Sequence, residues 1–269
     1  VADVNALQLY GRYASISLRS QMEYRVSFAM QAAGQFLVTG MEFLGIWALF
    51  DRFGQIRDWT LPEVAFFYGL ISITFAIADS IGRGFDVFGN TVKYGDFDRI
   101  LLRPRSSVLQ LLGHELTLRR VGRFSQGAVV LLFAAGTLDI AWSAERLLLL
   151  VLAVAGGVCL FIGLLILQAT SAFWTTESLE LWNAFTYGGV TMSQYPMAIY
   201  RPWFRRFFTV VIPLACINYL PGVAILGRDD PVGTPVAFQW LSPLAGPLFL
   251  LVCLQVWRIG VRHYRSTGS

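Results

Sequence analysis

Apolar residues fall in long continuous runs along this chain, broken by short polar stretches. The runs at 26–50, 61–81, 121–138, 146–170 and 241–257 approach the roughly 20 residues a helix needs to cross a hydrocarbon layer. Stretches such as Leu147-Leu148-Leu149-Leu150-Val151-Leu152-Ala153-Val154 lack the alternation of a barrel strand. In lipid every backbone amide needs an internal partner, so these runs predict helices. Ahead of them, 5–22 has helical periodicity, with Ala6, Leu9, Tyr10, Tyr13 and Ile16 on one arc and Arg12 and Arg19 beside it. That predicts a helix lying in the membrane interface, or one packed on the protein itself.

The stretch after 170 allows two arrangements. Residues 175–195 mix Glu177, Glu180, Asn183 and Gln194 with Trp182 and Phe185, while 207–226 is more apolar but broken by Pro213 and Pro221. Either 171–206 is cytoplasmic and 207–226 is the fifth span, or 175–195 is that span and 207–226 a re-entrant element. Both arrangements give six crossings in one transmembrane domain over 1–269, with both termini and the 82–120 loop cytoplasmic. Cations gather on that face of membrane proteins, and counting them favours the first arrangement.

Composition sharpens this picture. The chain has 269 residues, 55% hydrophobic and only 14% charged, with a mean hydropathy of +0.57, which excludes an ordinary soluble domain. A net charge of +4 invites nucleic-acid binding, but the cations sit at the ends of apolar runs, where headgroups and aqueous loops are. No nucleic-acid partner is expected. Cys159, Cys216 and Cys253 lie inside apolar runs without ligand-like spacing, and read as small hydrophobes. The opening segment has no apolar core of the signal-peptide kind.

Polar positions inside the runs are the candidate path. Gln31, Gln35 and Glu42 share a face of the first span, and Glu177 and Glu180 add carboxylates near the fifth. Such groups are costly in lipid and face protein or a wet cavity, as path lining or as glue between helices. Glu42 and Asp79 would also serve an ion-coupled secondary transporter, a rival reading. Against it, the two halves show no internal repeat.

Catalytic motifs are missing. There is no G-x-x-x-x-G-K-[ST] loop and no G-x-S-x-G elbow. His114-Glu115 lacks a second histidine, since Leu118 holds that position, and Gly82-Arg83-Gly84 lacks the third glycine of a dinucleotide site. No metal, cofactor or enzymatic activity is expected from this chain.

The polar loop at 82–120 is the most informative stretch. Asp96 or Asp98 is placed to cap a short helix running through Leu102 and ended by Pro104. Phe97, Ile100, Leu101 and Leu102 would give it an apolar face beside Arg99 and Arg103, and such a face on a loop marks something to dock against.

Gly95-Asp96-Phe97-Asp98-Arg99-Ile100-Leu101-Leu102-Arg103-Pro104 resembles the signature loop of bacterial ABC exporter permeases of the six-span, type-2 class. Phe173-Trp174-Thr175-Thr176-Glu177-Ser178-Leu179-Glu180 and Gln194-Tyr195-Pro196-Met197-Ala198-Ile199-Tyr200-Arg201-Pro202-Trp203 resemble blocks of one branch of that family. The resemblance implies a permease of the bacterial inner membrane that works as a dimer, with a second copy or a related chain, on a dimer of separate ATPase subunits. It places coupling on Phe97, Asp98, Arg99, Leu101, Leu102, Arg103 and Pro104. It also implies a re-entrant element before the last span, so the second arrangement is adopted. The cost is that Arg201, Arg205 and Arg206 face outward, among lipid headgroups or toward an anionic substrate.

Overall fold

The structure, a computed structural model, describes residues 6–114, 117, 120–175 and 179–264. It is all-helical. In chain order the helices are α1 (Ala6–Glu23), α2 (Arg25–Phe53), α3 (Leu61–Asp86), α4 (Phe88–Lys93), α5 (Asp96–Leu101), α6 (Ser107–His114) and α7 (Val121–Thr137). They continue as α8 (Ala144–Ser171), α9 (Leu179–Ser193), α10 (Pro202–Val210), α11 (Leu214–Ile217), α12 (Tyr219–Leu226), α13 (Val236–Leu241) and α14 (Ala245–His263). By length and composition Arg25–Phe53, Leu61–Lys93, Ala144–Ser171 and Val236–His263 could cross a bilayer. The pair Pro202–Val210 and Leu214–Leu226, bent by 71°, would make a fifth if read as one span. α7 is apolar but shorter, and the 15 residues of α9 reach about 22 Å, short of a hydrocarbon core of about 30 Å.

α3 is the axis of the bundle. Its start is set locally: Pro62 needs no amide partner in the first turn, and Glu63 Oε2 accepts the Thr60 N–H at 2.7 Å in a capping box. Of its most apolar stretch, 78% is buried, against α7 on one side and α8 on the other. A Cβ at Gly69 would lie 2.7 Å from that of Leu131, so glycine is what lets α3 and α7 approach here. α14 packs on α8 and α2 on α7, which orders the long helices α2, α7, α3, α8, α14. α2 buries only Thr39, Ile46 and Phe50, one narrow stripe. Apart from half-buried Phe43, which meets the Tyr68 ring, most of its other large apolar side chains, including Leu37, Met41 and Leu44, are open to lipid or to another chain.

Boundaries differ from the sequence reading in two places. α3 runs past 81 to Asp86, because the Arg83–Asp86 ion pair and the Gln168 amide on Asp86 (3.1 Å) satisfy the charges that suggested a loop. The last span begins at Val236 rather than 241, since Val236–Leu241, a short tight turn and α14 follow one another without a loop. α1 places Tyr13 against Gly113 of α6, whereas Ile16, expected on the same arc, is 66% exposed. Tyr10, Tyr13, Ser17 and Gln21 are half-buried instead, and Ile16 is turned away.

The two ends of α3 carry different parts of the chain. α4, α5, α6, α1 and the end of α14 gather at Asp86. At the Leu61 end, Arg57 donates to the Ala198 carbonyl (3.4 Å) and Arg228 pairs with Glu63. The 198–228 segment therefore begins and finishes at one end of the bundle. It turns at Pro213 and again at Asn218, whose amide donates to the Ser193 carbonyl at 2.5 Å.

Candidate docking and coupling site

At the Asp86 end the backbone makes a tight double turn. Gly95 sits in the left-handed region at φ 75°, where a side chain is disfavoured by about 1–2 kcal/mol. It is Gly95, not Asp96 or Asp98, that caps α5; Asp96 is the first helical residue. After α5 the Arg105 N–H donates to the Arg103 carbonyl at 2.7 Å around Pro104. Buried Gln110 of α6 then clamps both sides of the turn, donating to the carbonyls of Ile100 (3.0 Å) and Arg105 (3.1 Å).

α5 has two unlike faces. Phe97 is fully buried, its ring centroid 5.0 Å from those of Phe88 and Tyr264 and 5.5 Å from that of Phe173. Trp257 of α14 closes the box, 5.1 Å from Phe88 and 5.5 Å from Phe85, with its indole N–H on Ser107 at 3.2 Å. Edge-to-face pairs of this kind are each worth about 0.5–1.5 kcal/mol beyond area burial. Ile100 is buried beside them. On the other face Leu101 is 43% and Leu102 84% exposed, flanked by exposed Arg99, Arg103 and Pro104. Arg99 and Asp96 pair at 3.5 Å on open surface, an interaction of small worth. Asp98 lies by Tyr264, whose phenol is pushed up first by burial and then by that carboxylate.

The expected apolar face is thus divided by the fold. Phe97 packs α5 against Phe88 of α4, Trp257 of α14 and Phe173 just after α8, and only Leu101 and Leu102 of the expected face are exposed. Sequence reasoning missed the anchor's other members: Phe85, Phe88, Phe173, Trp257 and Tyr264. Aromatic residues at the ends of three separate apolar runs were the signal available.

The path candidates are dispersed. Gln31 is exposed near the α1–α2 junction, with its amide on Ser27 at 3.2 Å, and Gln35 is half-buried. Glu42 lies farther along α2, where Arg123 approaches it at 3.7 Å while sitting over the Phe75 ring at 5.2 Å. Buried Asp79 pairs with Arg120. Both arginines are largely enclosed by the bundle. Tyr68 adds a buried polar link, donating to the Thr39 carbonyl at 2.7 Å. Glu177 and the side chain of Glu180 lie outside the described residues. Among the described residues, no group of His, Cys, Asp and Glu is arranged to hold a metal ion.

Long apolar helices around a buried axis, with a polar double turn at one end, define a multi-pass membrane protein. Residues 36–268 match the model of the ABC-2 family transporter proteins, and the chain belongs to that family. It is therefore the membrane permease component of an ABC transporter, a kind of subunit that works with an ATP-binding one. No curated protein and no solved structure matches the chain.

Proposed function

We propose that this chain is the permease subunit of an ATP-binding cassette exporter, and that a separate ATPase drives it through residues 95–104. The observation that carries this reading is α5 itself. Its buried Phe97 ties it to α4, to α14 and to the chain just after α8, while Leu101 and Leu102 stay exposed. A partner gripping those leucines would move a helix that cannot yield without moving the aromatic box. ATP-driven closure of two such partners would then shift the bundle between packed arrangements.

In this reading the Asp86 end of α3 is cytoplasmic, as are both termini, in the bacterial inner membrane. α2, α3, α7, α8 and α14 supply five crossings, and the stretch 175–195, of which α9 is part, supplies the sixth. The 198–228 segment is the re-entrant element, consistent with its beginning and finishing at one end of the bundle. Two permease copies enclose the path, with Gln31, Gln35, Glu42, Glu177 and Glu180 as candidate lining. An ion-coupled secondary transporter is not favoured. Glu42 and Asp79, the carboxylates it would need, are each engaged by an arginine.

The test is co-purification with the cognate ATPase and its permease-stimulated turnover. Leu101→Asp or Leu102→Asp is expected to weaken the complex by about ten-fold or more, as for an apolar hot spot. A mutant that keeps both the complex and the stimulated turnover would show that coupling lies elsewhere.

A further inference from the structure

A second site lies at the opposite end of the bundle, and it stands whether or not the coupling reading does. Pro202, Arg205, Arg206 and Thr209 of α10, with Tyr219 and Thr234, line a cavity of about 490 Å³. α10 is two-sided. Phe204 and Phe208 pack at 4.7 Å, Tyr200 stacks on Phe204 at 5.0 Å, and Phe208 is buried. That anchorage fixes the opposite, cationic face.

What the lining leaves unsatisfied determines what it can bind. The Thr209 hydroxyl donates to the Arg205 carbonyl at 2.7 Å, and the Tyr219 hydroxyl donates to Asp230 at 2.6 Å. The Thr234 hydroxyl also donates to Asp230. Asp230, the nearby acid, takes in addition the N–H groups of Val232 (3.0 Å) and Thr234 (3.1 Å), and it does not line the cavity. Its carboxylate is therefore occupied by neutral donors. Among the described residues neither Arg205 nor Arg206 pairs with a carboxylate. Two adjacent guanidiniums remain as donors without acceptors, and such forks match phosphate oxygens. Beside them Met197, Leu220 and Val232 form an apolar wall.

We propose that Arg205 and Arg206 hold the phosphate of an anionic amphiphile in this cavity, with its apolar body along Met197, Leu220 and Val232. The phosphate could belong to a membrane lipid or to a soluble phosphate ester, and the experiment separates the two. The full chain is equilibrated in mixed micelles of phosphatidylglycerol and phosphatidylcholine, re-isolated, and its retained lipid counted by mass spectrometry. Phosphatidylglycerol should be retained over phosphatidylcholine. Arg205→Gln with Arg206→Gln should cut that retention by about ten-fold, the loss expected for charge-assisted hydrogen bonds. Arg201→Gln, at the N-cap of α10 and outside the cavity lining, should not. Release by glycerol phosphate would mean soluble esters share the site, and no release would mean the site is confined to lipid. Full retention by the double variant, or equal loss in Arg201→Gln, overturns the proposal. If the double variant does not fold, protection of the unaltered chain decides. Phosphatidylglycerol must shield Arg205 and Arg206, but not Arg201, from phenylglyoxal, and equal modification with and without lipid overturns the idea.

Discussion

At the Asp86 end of α3 the chain is held by rings: Phe85, Phe88, Phe97, Phe173, Trp257 and Tyr264 interlock with little charge among them. At the Leu61 end rings meet too, with Trp59 5.5 Å from Phe67 and 6.2 Å from Tyr219, but ions and hydrogen bonds join the segments. Arg228 covers the Trp59 ring at 4.2 Å, pairs with Glu63 and donates to the Asp58 carbonyl at 2.7 Å. Asp230 gathers a loop around its carboxylate. The contrast is mechanical. Interlocked, close-packed rings yield little before they repack, so a displacement of α5 would be passed to the elements they join. A network of ions and hydrogen bonds loosens gradually and responds to pH and salt, which suits an end whose segments fold back on themselves.

The comparison is broken most forcefully at Trp257, which is 2% exposed and touches four of the other rings. Trp257→Ala should cost about 3–5 kcal/mol through the cavity it leaves, read as a lower midpoint of thermal unfolding in detergent. Partner-stimulated ATP turnover should fall with it, because α5 loses its hold on α14. A variant that melts like the parent and still stimulates the ATPase would mean the box is not the transmitting element.

How much of this was readable beforehand depends on the distance between the residues involved. The run beginning at 61 marked the start of α3, and the capping box that fixes it spans only four positions. The apolar runs announced α2, α3 and α8 for the same local reason, and Pro213 marked a real turn, whereas Pro221 sits in the first turn of α12, where it breaks nothing. α5 shows the limit. In six residues no period can say which apolar side chain turns inward. Phe97 is buried because Trp257 and Phe173, far along the chain, meet it there. The extra turn of α3 was hidden likewise. Arg83 and Asp86 fell in the polar loop expected at 82–120 until their pairing, with Gln168 of α8 on Asp86, made them helix. Path residues fared worst, because a shared face on α2 says nothing of what lies opposite it. Gln31 and Glu42 share that face but meet different neighbours.

The Leu61 end should be softer. Arg228→Ala leaves Glu63 with its Thr60 contacts but without its cation, and uncovers Trp59. The pair is partly exposed, at 26% and 12% of the side chains. The full penalty of a broken buried pair is therefore screened, and about 1–2 kcal/mol of stability should be lost. Binding of the ATPase should be unchanged, since no ring of the far box is touched. Equal loss of stability and of ATPase binding would mean that the two ends are not independent.

The smallest expected effect is the most specific. Burial alone would raise the pKa of Asp230, but hydrogen bonds from Thr234, Tyr219 and the Val232 and Thr234 amides hold it below the ordinary aspartate range. A depressed carboxylate stabilises the folded loop fully above the unfolded value, about 3.9. That contribution is lost as pH falls through the lower, folded value. Hydrogen-exchange protection of the Val232 and Thr234 amides should therefore be flat from neutral pH down to about 4 and decline below it. Asp230→Asn should start with weaker protection and show no such decline. The aromatic end supplies the internal control. Protection of α5, whose backbone is held by Gln110 and by packing around Phe97, should not follow this titration. If α5 opens in step with the Asp230 loop, the two ends share one cooperative unit, and the distinction between a ring-locked end and an ion-held end fails.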